Sequence, residues 1–368
     1  MLFRSLVEKY IWGWKEIEYE VIRDSNDNAA TICSMENFDP VGIHTGESIV
    51  IAPAQTLSTD EAGMLRNAAL RAIRELDIVG ECNIQFGLHP TSKEFVAIEV
   101  NSRLSRSSAL ASKATGYPLA YITAKVALGY NLPEILNTIT KSTSCCFEPV
   151  TDYVAIKVPR WNMEKFPRVS RRIGTQMKSV GEVMGLGRNF EETIQKSLRM
   201  LDIDLKGMVV NSIEDEFESW TIEKLEFELK NPTDQRFILV AIALKRGITI
   251  DRIYELTMID RWFLYKIRHL VEIEAMLRQI NLLTEDDIKI PVITYAKRYG
   301  FSDSQIAKCM KAEPHHIRRF RHKTNIQPVT KQIDTLAGEC AAKANYLYLT
   351  YGGQADDIDY AASRKKFQ

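Results

Sequence analysis

The sequence has no long apolar run and no excess of either charge, and both absences narrow what the chain can do. No stretch approaches the roughly 18 consecutive apolar residues of a membrane-spanning helix. Lysine and arginine together number 48, as do aspartate and glutamate, so the net charge gives no support to nucleic-acid or membrane partners. The 368 residues, 45% hydrophobic and 26% charged, indicate a soluble globular protein of about two or three domains.

Cysteine is scarce, with six residues, and no two of them form a Cys-x-x-Cys pair. Adjacent Cys145 and Cys146 make a poor metal-binding or disulfide pattern. We therefore expect reduced thiols and a cytoplasmic location. The first eight residues have too short an apolar run for a secretory signal peptide, but they leave a mitochondrial location open as the alternative.

The most informative segment holds a carboxylate, an amide and two guanidinium groups at fixed spacing: Glu99, Asn101, Arg103 and Arg106. It follows Phe95–Ile98, an apolar run that is typical of a buried strand. Residues two apart on a strand share a face, so Glu99, Asn101 and Arg103 are predicted to point the same way. Oxygen ligands beside a cation suit Mg²⁺ bound to a triphosphate, and the segment therefore predicts a nucleotide site.

The first half of the chain mixes strand and helix patterns. Charged and apolar residues alternate over Glu16–Arg23, which predicts a strand with one solvent-exposed face, and Ala29–Met35 is its predicted hairpin partner. Ser58 and Glu61 form a capping-box pattern before a helix over 62–76. Further strands are predicted over 48–51, 78–86, 95–100 and 152–158, and further helices over 117–128 and 190–201.

Beyond Leu201 the sequence becomes rich in helix formers. Helical periodicity recurs over 220–229, 236–245, 250–256, 262–279 and 303–311. The first half is therefore predicted to be α+β and the second half mostly α.

Several motifs resemble the large subunit of carbamoyl phosphate synthetase. They are 13–21, 42–46, 98–116 and 177–184. Two others, 79–85 and 159–161, resemble the eukaryotic glutamine-dependent, pyrimidine-type form, which is one part of a larger multifunctional chain. The resemblance extends from about Gly13 to about Tyr351.

The resemblance implies an α+β ATP-grasp C-terminal portion followed by an all-α oligomerisation domain. Residues 1–203 would be the C-terminal part of the first, carboxyphosphate-forming ATP-grasp domain, and 204–350 the helical oligomerisation domain. Residues 351–368 would be a tail or a severed linker. We expect the chain to be a fragment whose partners include the missing remainder of the synthetase.

The resemblance also assigns ligands for the metal ions and the nucleotide. Gln85, Glu99 and Asn101 match metal-binding positions for two Mg²⁺ or Mn²⁺ ions, with Gln85 and Glu99 also contacting ATP. Glu16 matches a contact to the ribose hydroxyls, and Ile11 an apolar or backbone contact near the adenine.

Two further groups match the reacting centre. Gly42, Ile43 and His44 match a loop that approaches the phosphates and the bicarbonate-derived group, with His44 as a hydrogen-bond donor. Arg103 and Arg106 fit the stabilisation of phosphate or carboxyphosphate, for which a salt-bridge network is the structural alternative.

The implied activity is that of an ATP-dependent ligase. Bicarbonate would be phosphorylated by MgATP to carboxyphosphate, and ammonia from a glutaminase subunit or domain would then form carbamate. This is the first step of pyrimidine or arginine biosynthesis. We expect a homo-oligomer through the helical domain, no nucleic-acid or membrane partner, and no turnover by the isolated chain.

Two other functions stay open. Residues 300–311 and 313–323 resemble a helix-turn-helix with a basic second helix, for which a helical hairpin with a solvated basic face is the structural alternative. The chain could also be a non-catalytic interaction fragment that shares the fold.

Overall fold

The computed structural model describes residues 7–166, 168–340, 342–344 and 346–358. Within these ranges the first half builds one sheet. Its strands are β1 (Lys15–Arg23), β2 (Ala29–Asn37), β3 (Val50–Ala52), β4 (Gly80–Leu88), β5 (Phe95–Asn101), β6 (Val154–Arg160) and β7 (Gly181–Gly187). The order across the sheet is β5-β4-β1-β2-β3-β6-β7, and neighbouring strands are antiparallel. Residues 1–6, which belong to the presequence alternative, and 359–368, in the predicted tail, lie outside the described residues.

One face of β1 is apolar and is covered by helix α1 (Thr59–Glu75). Ile17 and Val21 are completely buried in the cluster that β1 and β4 form with this helix. The predicted capping box is present, because the Ser58 side chain accepts from the backbone of Glu61 while the Glu61 carboxylate accepts from the backbone of Ser58. The helix begins directly after Ser58, three residues before the predicted segment 62–76. This packing fixes the register of β1.

The opposite face of β1 was predicted to be solvent-exposed, and that prediction is wrong. Glu16, Glu18 and Glu20 expose 5%, 1% and 0% of their surface. Helix α2 (Arg106–Thr115) lies near this face, and Ser108 donates to Glu20 at 3.4 Å. Alternation of charged and apolar residues thus marks a strand between an apolar layer and a buried polar layer, rather than one between core and water.

Most of the remaining helices lie in the second half of the chain. After α3 (Leu119–Ala127) come α4 (Phe190–Met200), α5 (Ile222–Lys230), α6 (Arg236–Lys245), α7 (Ile250–Thr257), α8 (Arg261–Arg278), α9 (Asp286–Arg298), α10 (Asp303–Cys309) and α11 (Pro314–Lys323). None of the described helices is long and apolar enough to cross a membrane.

Sheet and helices share one apolar core. Ile51 of β3 and Ile156 of β6 belong to the same buried cluster as Phe263 of α8. Beside it, Arg236 of α6 donates to Asp39, which follows β2, at 2.7 Å, and both side chains are buried. The domain boundary predicted between residues 203 and 204 therefore crosses a continuous core and remains a prediction.

A short hairpin follows the helices and returns to the sheet. Strands β8 (Val329–Gln332) and β9 (Leu347–Thr350) pair with each other, an element within 204–350 that the sequence did not indicate. Tyr348 packs in the apolar cluster under α2 and α3, and the Thr350 hydroxyl donates to Glu192 at 2.9 Å. The hairpin thus ties the end of the helical half back to the first half.

Helices α10 and α11 contain the helix-turn-helix-like segment. Arg321, on the buried side of α11, binds both carboxylate oxygens of Asp303 at 2.8 and 2.7 Å. His315, Arg318 and Arg319 are exposed on the other side. Arg321 therefore stabilises the packing of the basic helix α11, whereas His315, Arg318 and Arg319 form a solvent-exposed basic face.

Candidate functional site

A cavity of about 350 Å³ opens on the polar face of the sheet. It is lined from the sheet side by β1, β4, β5 and β6, and from above by the loop after Gly42, the start of α2 and the segment before β7. The predicted site residues among its lining are His44, Gln85, Glu99, Asn101, Arg103 and Arg106. The described structure thus brings six residues from three separate sequence segments to one cavity.

The three predicted metal ligands share one face of the sheet. Gln85 of β4 lies directly opposite Glu99 of β5, and Asn83 lies opposite Asn101. Directly opposed residues of antiparallel strands point to the same side, with their Cβ atoms about 5 Å apart. The register shifts between Gln85 and Phe86, where β5 has one extra residue. Glu99 nevertheless stays opposite Gln85 and on the same face of the sheet.

Asn83 connects this oxygen-rich edge to the buried carboxylates. Its amide nitrogen donates to Glu18 at 3.1 Å and to Glu20 at 3.0 Å. The Gln85 amide nitrogen donates to the Asn83 carbonyl oxygen at 3.4 Å, so that its own carbonyl oxygen points away from Asn83. The amides therefore order an array of oxygens across β1 and β4.

The buried carboxylates titrate abnormally. Burial raises the pKa of Glu16 to about 7, and the neighbouring Glu18 contributes. Burial also raises the pKa of Glu18 to about 7, opposed by the hydrogen bond from Asn83 and assisted by the charge of Glu20. Glu18 lines the cavity, and its Oε1 atom is buried without a hydrogen-bond partner in the described structure. An unpaired buried oxygen at this place has the chemistry of a cation-binding group.

The donor set fits a hard divalent cation that is bound together with phosphate. Gln85, Glu99 and Asn101 offer two amide oxygens and one carboxylate, and Mg²⁺ is commonly held by few protein oxygens plus phosphate oxygens and water. Nowhere in the described ranges do three or more His, Cys, Asp or Glu side chains form a metal-binding group of their own. The site is therefore suited to a metal–nucleotide complex rather than to a metal held by protein alone.

The loop with His44 forms the second wall. The backbone of Gly42 has φ of +115°, which favours glycine, and His44 caps a short turn by accepting from the Gly46 N–H through Nδ1 at 2.9 Å. This leaves Nε2 as the donor of a neutral imidazole. Gly46 approaches Met177 so closely that an added Cβ would lie 2.8 Å from its sulfur.

Glu47 anchors that loop. Its buried carboxylate accepts from the Trp161 indole at 2.8 Å and from the backbone N–H groups of Lys178 and Ser179 at 2.8 and 2.7 Å. Ile43 points into a small apolar cluster with Met163 and Ile173 instead of into the cavity. The loop is thus held at both sides, with His44 left at the cavity.

Arg103 and Arg106 border the cavity as free cations. Arg103 donates to the Asn101 carbonyl oxygen at 3.3 Å, and Arg106, the first residue of α2, lies 3.7 Å from the Met177 sulfur. Neither guanidinium forms an ion pair in the part of the chain that the structure describes, so the salt-bridge alternative finds no partner there. Two unpaired guanidinium groups at one cavity are suited to an oxyanion.

The remaining predicted contacts lie beside the cavity rather than on its lining. Glu16 accepts from the Thr45 hydroxyl at 2.8 Å and is buried beneath it, while Gly42 and Ile43 lie behind His44. Ile11 packs over Gly87, where an added Cβ would lie 3.0 Å from its Cδ1. The expected ribose and adenine contacts therefore stay predictions.

Sequence reasoning missed Glu18, Lys157, Met177 and Glu182, which also line the cavity. Lys157 carried a usable signal, since it is a charge in the middle of the apolar run 154–159 of strand β6. No sequence signal identified Glu18 as a site residue, because the alternation of glutamates with apolar residues in β1 also fits a solvent-exposed face. Met177 and Glu182 lie on or next to β7, which the sequence did not predict as a strand.

Two family models match the chain. Residues 3–135 match the carbamoyl-phosphate synthase L chain, ATP binding domain, and residues 182–325 match the carbamoyl-phosphate synthetase large chain, oligomerisation domain. The first contains the candidate metal ligands and the second contains helices α4 to α11.

Curated relatives match almost the whole chain. Multifunctional protein pyr1-3 of Dictyostelium discoideum is 52% identical, over 96% of this chain and 16% of that protein. Multifunctional protein CAD of Squalus acanthias is 52% identical, over 96% of this chain and 15% of that protein. The mitochondrial carbamoyl-phosphate synthase (ammonia) of Homo sapiens is 52% identical, over 98% of this chain and 24% of that protein.

The chain thus spans between 15% and 24% of the length of these relatives. The match to the ATP-binding domain comes first along the chain, and the match to the oligomerisation domain follows it. This order agrees with the structure, in which an α+β half with an oxygen-rich cavity is followed by a helical half. This chain belongs to the carbamoyl-phosphate synthase large-chain family.

Proposed function

We propose that the chain provides the site at which MgATP phosphorylates bicarbonate during carbamoyl phosphate synthesis. The observation that carries the proposal is the convergence of Gln85, Glu99 and Asn101 with Arg103 and Arg106 at one cavity, in a chain of this family. A bicarbonate oxygen would attack the γ-phosphorus, the bond to the β-phosphate oxygen would break, and carboxyphosphate and ADP would leave. Ammonia would then displace phosphate from carboxyphosphate to give carbamate.

Gln85, Glu99 and Asn101 would hold the divalent ions, Mg²⁺ or Mn²⁺, against the β- and γ-phosphates. Such ions neutralise the charge that the phosphoryl group carries during transfer. The hydrogen bond from Gln85 to Asn83, which itself donates to Glu18, orders the Gln85 amide before any ion arrives. The carboxylate of Glu99, exposed at the cavity, supplies the negative charge of the predicted ligand set.

Arg103, Arg106 and His44 would act on the oxyanions. The two guanidinium groups lie at the cavity without a carboxylate partner among the described residues, and they would stabilise the phosphoryl oxygens. His44 is oriented by its bond to Gly46, so that its Nε2 would donate to the bicarbonate-derived group. Catalysis here rests on positioning and charge, because phosphoryl transfer needs no protein nucleophile.

The context of the reaction is likewise a proposal. The ammonia would come from glutamine through a glutaminase subunit or domain, and the remainder of a synthetase chain would complete the enzyme. The helical half would mediate self-association, as the name of its matching domain suggests. We propose a pyrimidine or arginine pathway, and one matching relative is named as an arginine-specific large chain. We propose a cytoplasmic location with a mitochondrial one as the alternative, which the names of two relatives favour.

The test measures nucleotide binding and turnover separately. The 368-residue chain should bind MgATP in calorimetry but not hydrolyse it. A chimera in which it replaces the matching segment of the Dictyostelium discoideum relative should hydrolyse ATP in a bicarbonate-dependent manner. Glu99→Gln or Asn101→Asp should abolish that hydrolysis, whereas Glu75→Gln, on the exposed side of α1, should leave it unchanged. Unchanged hydrolysis in both site variants would refute the proposal.

A further inference from the structure

Lys157 is a buried cation at the cavity wall without a carboxylate partner. It lies in β6, exposes 4% of its surface, and lines the cavity. Its ammonium donates to the Thr45 carbonyl oxygen at 2.8 Å, which uses one of three N–H donors. Among the described residues no carboxylate lies within ion-pair distance of it, unlike the buried Arg236, which binds Asp39. A buried charge left this way needs compensation from something that enters the cavity.

The charged groups around Lys157 indicate that the negative charge balancing its ammonium would lie in the cavity. Burial lowers the pKa of Lys157, while Glu182, Glu18 and Glu47 counteract it and Arg106 reinforces it. Glu47 is already occupied by Trp161 and the backbone near residue 178. Glu18 and Glu182 line the same cavity, but neither accepts a hydrogen bond from Lys157 in the described structure. Two N–H donors of Lys157 therefore have no protein acceptor there and are available to an anion in the cavity.

The position of Lys157 separates it from the predicted metal ligands. In the sheet order, β6 is four places from β4, which carries Gln85, and five from β5, which carries Glu99. Lys157 instead lies beside the loop of His44 and Thr45. In phosphoryl transfer the attacking oxygen and the leaving oxygen lie roughly in line on opposite sides of the phosphorus. A triphosphate held at β4 and β5 would therefore leave the acceptor on the side of Lys157.

We propose that Lys157 binds the oxyanion of the acceptor substrate, which in the proposed function is bicarbonate. The ammonium donates to the acceptor's carboxylate oxygens and holds them toward the phosphorus, while its bond to Thr45 fixes the ammonium itself. The proposal rests on the proposed function for the identity of the acceptor. The existence of an anion site at Lys157 rests on the geometry alone.

The experiment uses Lys157→Gln, since glutamine keeps an N–H donor for the Thr45 carbonyl but removes the charge. In the chimera, the KM for bicarbonate should rise about 10- to 100-fold, the range expected for a lost hydrogen bond to a charged group, and the KM for ATP should stay within about twofold. Lys157→Arg should restore part of the loss. Lys196→Gln is the control, because Lys196 also donates to backbone carbonyls but lies outside the cavity lining. Lys196 additionally pairs with the buried Glu192 at 2.7 Å, so its loss should lower stability without changing either KM.

A second readout does not need turnover. Phosphonoformate joins a carboxylate to a phosphonate, so its binding in the presence of MgADP probes the same place by calorimetry. Lys157→Gln should weaken it about 10- to 100-fold, and Lys196→Gln should not. If the unmodified chimera binds the probe through Lys157 but lacks bicarbonate-dependent hydrolysis, the anion site stands and the proposed function fails. An unchanged bicarbonate KM, or an equal rise of both KM values, would overturn the role of Lys157.

Discussion

Glu18→Gln should remove one cause of the loss of unfolding free energy that the chain undergoes as the pH rises. Glu18 exposes 1% of its surface, and burial raises its pKa from 4.5 to about 7. Between these two values the folded chain retains a proton that the unfolded chain has released. The stabilising contribution is therefore complete below pH 4.5 and is lost as the pH rises through 7.

The size of the effect follows from the shift. At about 1.4 kcal/mol per pKa unit, a shift of this size corresponds to about 3 kcal/mol of unfolding free energy. Glutamine has nearly the same shape, can still accept from Asn83, and carries no titrating proton. The stability of Glu18→Gln relative to the unmodified chain should consequently increase by about 2 to 3 kcal/mol between pH 4.5 and pH 8.

The assay is urea unfolding followed by tryptophan fluorescence at several pH values. Comparison with the unmodified chain is essential, because Glu16 also has a pKa raised to about 7 and titrates over the same range. Glu75→Gln, exposed on α1, is the control and should follow the unmodified chain at every pH. A difference between Glu18→Gln and the unmodified chain that stays constant from pH 4.5 to 8 would refute the reasoning.

Two further substitutions test the packing around the site. Asp39→Ala should lower the unfolding free energy by about 3 to 5 kcal/mol in urea titration, because it leaves the buried Arg236 without its carboxylate; a loss below about 1 kcal/mol would contradict this. Gly46→Ala should cost about 1 to 3 kcal/mol, since the new Cβ would lie 2.8 Å from the Met177 sulfur. Gly63→Ala, in helix α1 with open space around it, is the matched control and should stabilise the chain slightly; equal effects of the two changes would show that the cavity loop is not tightly packed.

The oxygen-rich edge of the sheet could be predicted because its signal is local. The alternation of Glu99 and Asn101 after an apolar run determines that both share a face. Placing Gln85 on that same face required the family resemblance, and the register of β4 and β5 brings it opposite Glu99. Most helices of the second half were also predicted within a few residues. Arg236–Lys245, an almost continuous apolar run that is buried along most of its length, is predicted with its observed bounds.

Elements whose pattern is weak or interrupted were missed. Helix α9 contains Pro291, which breaks the expected pattern, although a proline can be accommodated where the preceding turn tolerates it. Helix α2 is made mainly of small residues and has little apolar period. Its placement near the polar face of β1 is what buries Glu18 and Glu20, so the exposed-face prediction failed for a tertiary reason.

The shared apolar core has a mechanical consequence. Because Ile51, Ile156 and Phe263 belong to one buried cluster, bending between the sheet and the helices would open a void in that cluster. Motion that admits or releases a bound molecule is therefore expected at the opposite edge, where β5 has its backbone partner on one side and several solvent-exposed residues. Sheet and helices should therefore move as a single rigid body, with flexibility confined to the edge strand β5. They should unfold in one cooperative transition.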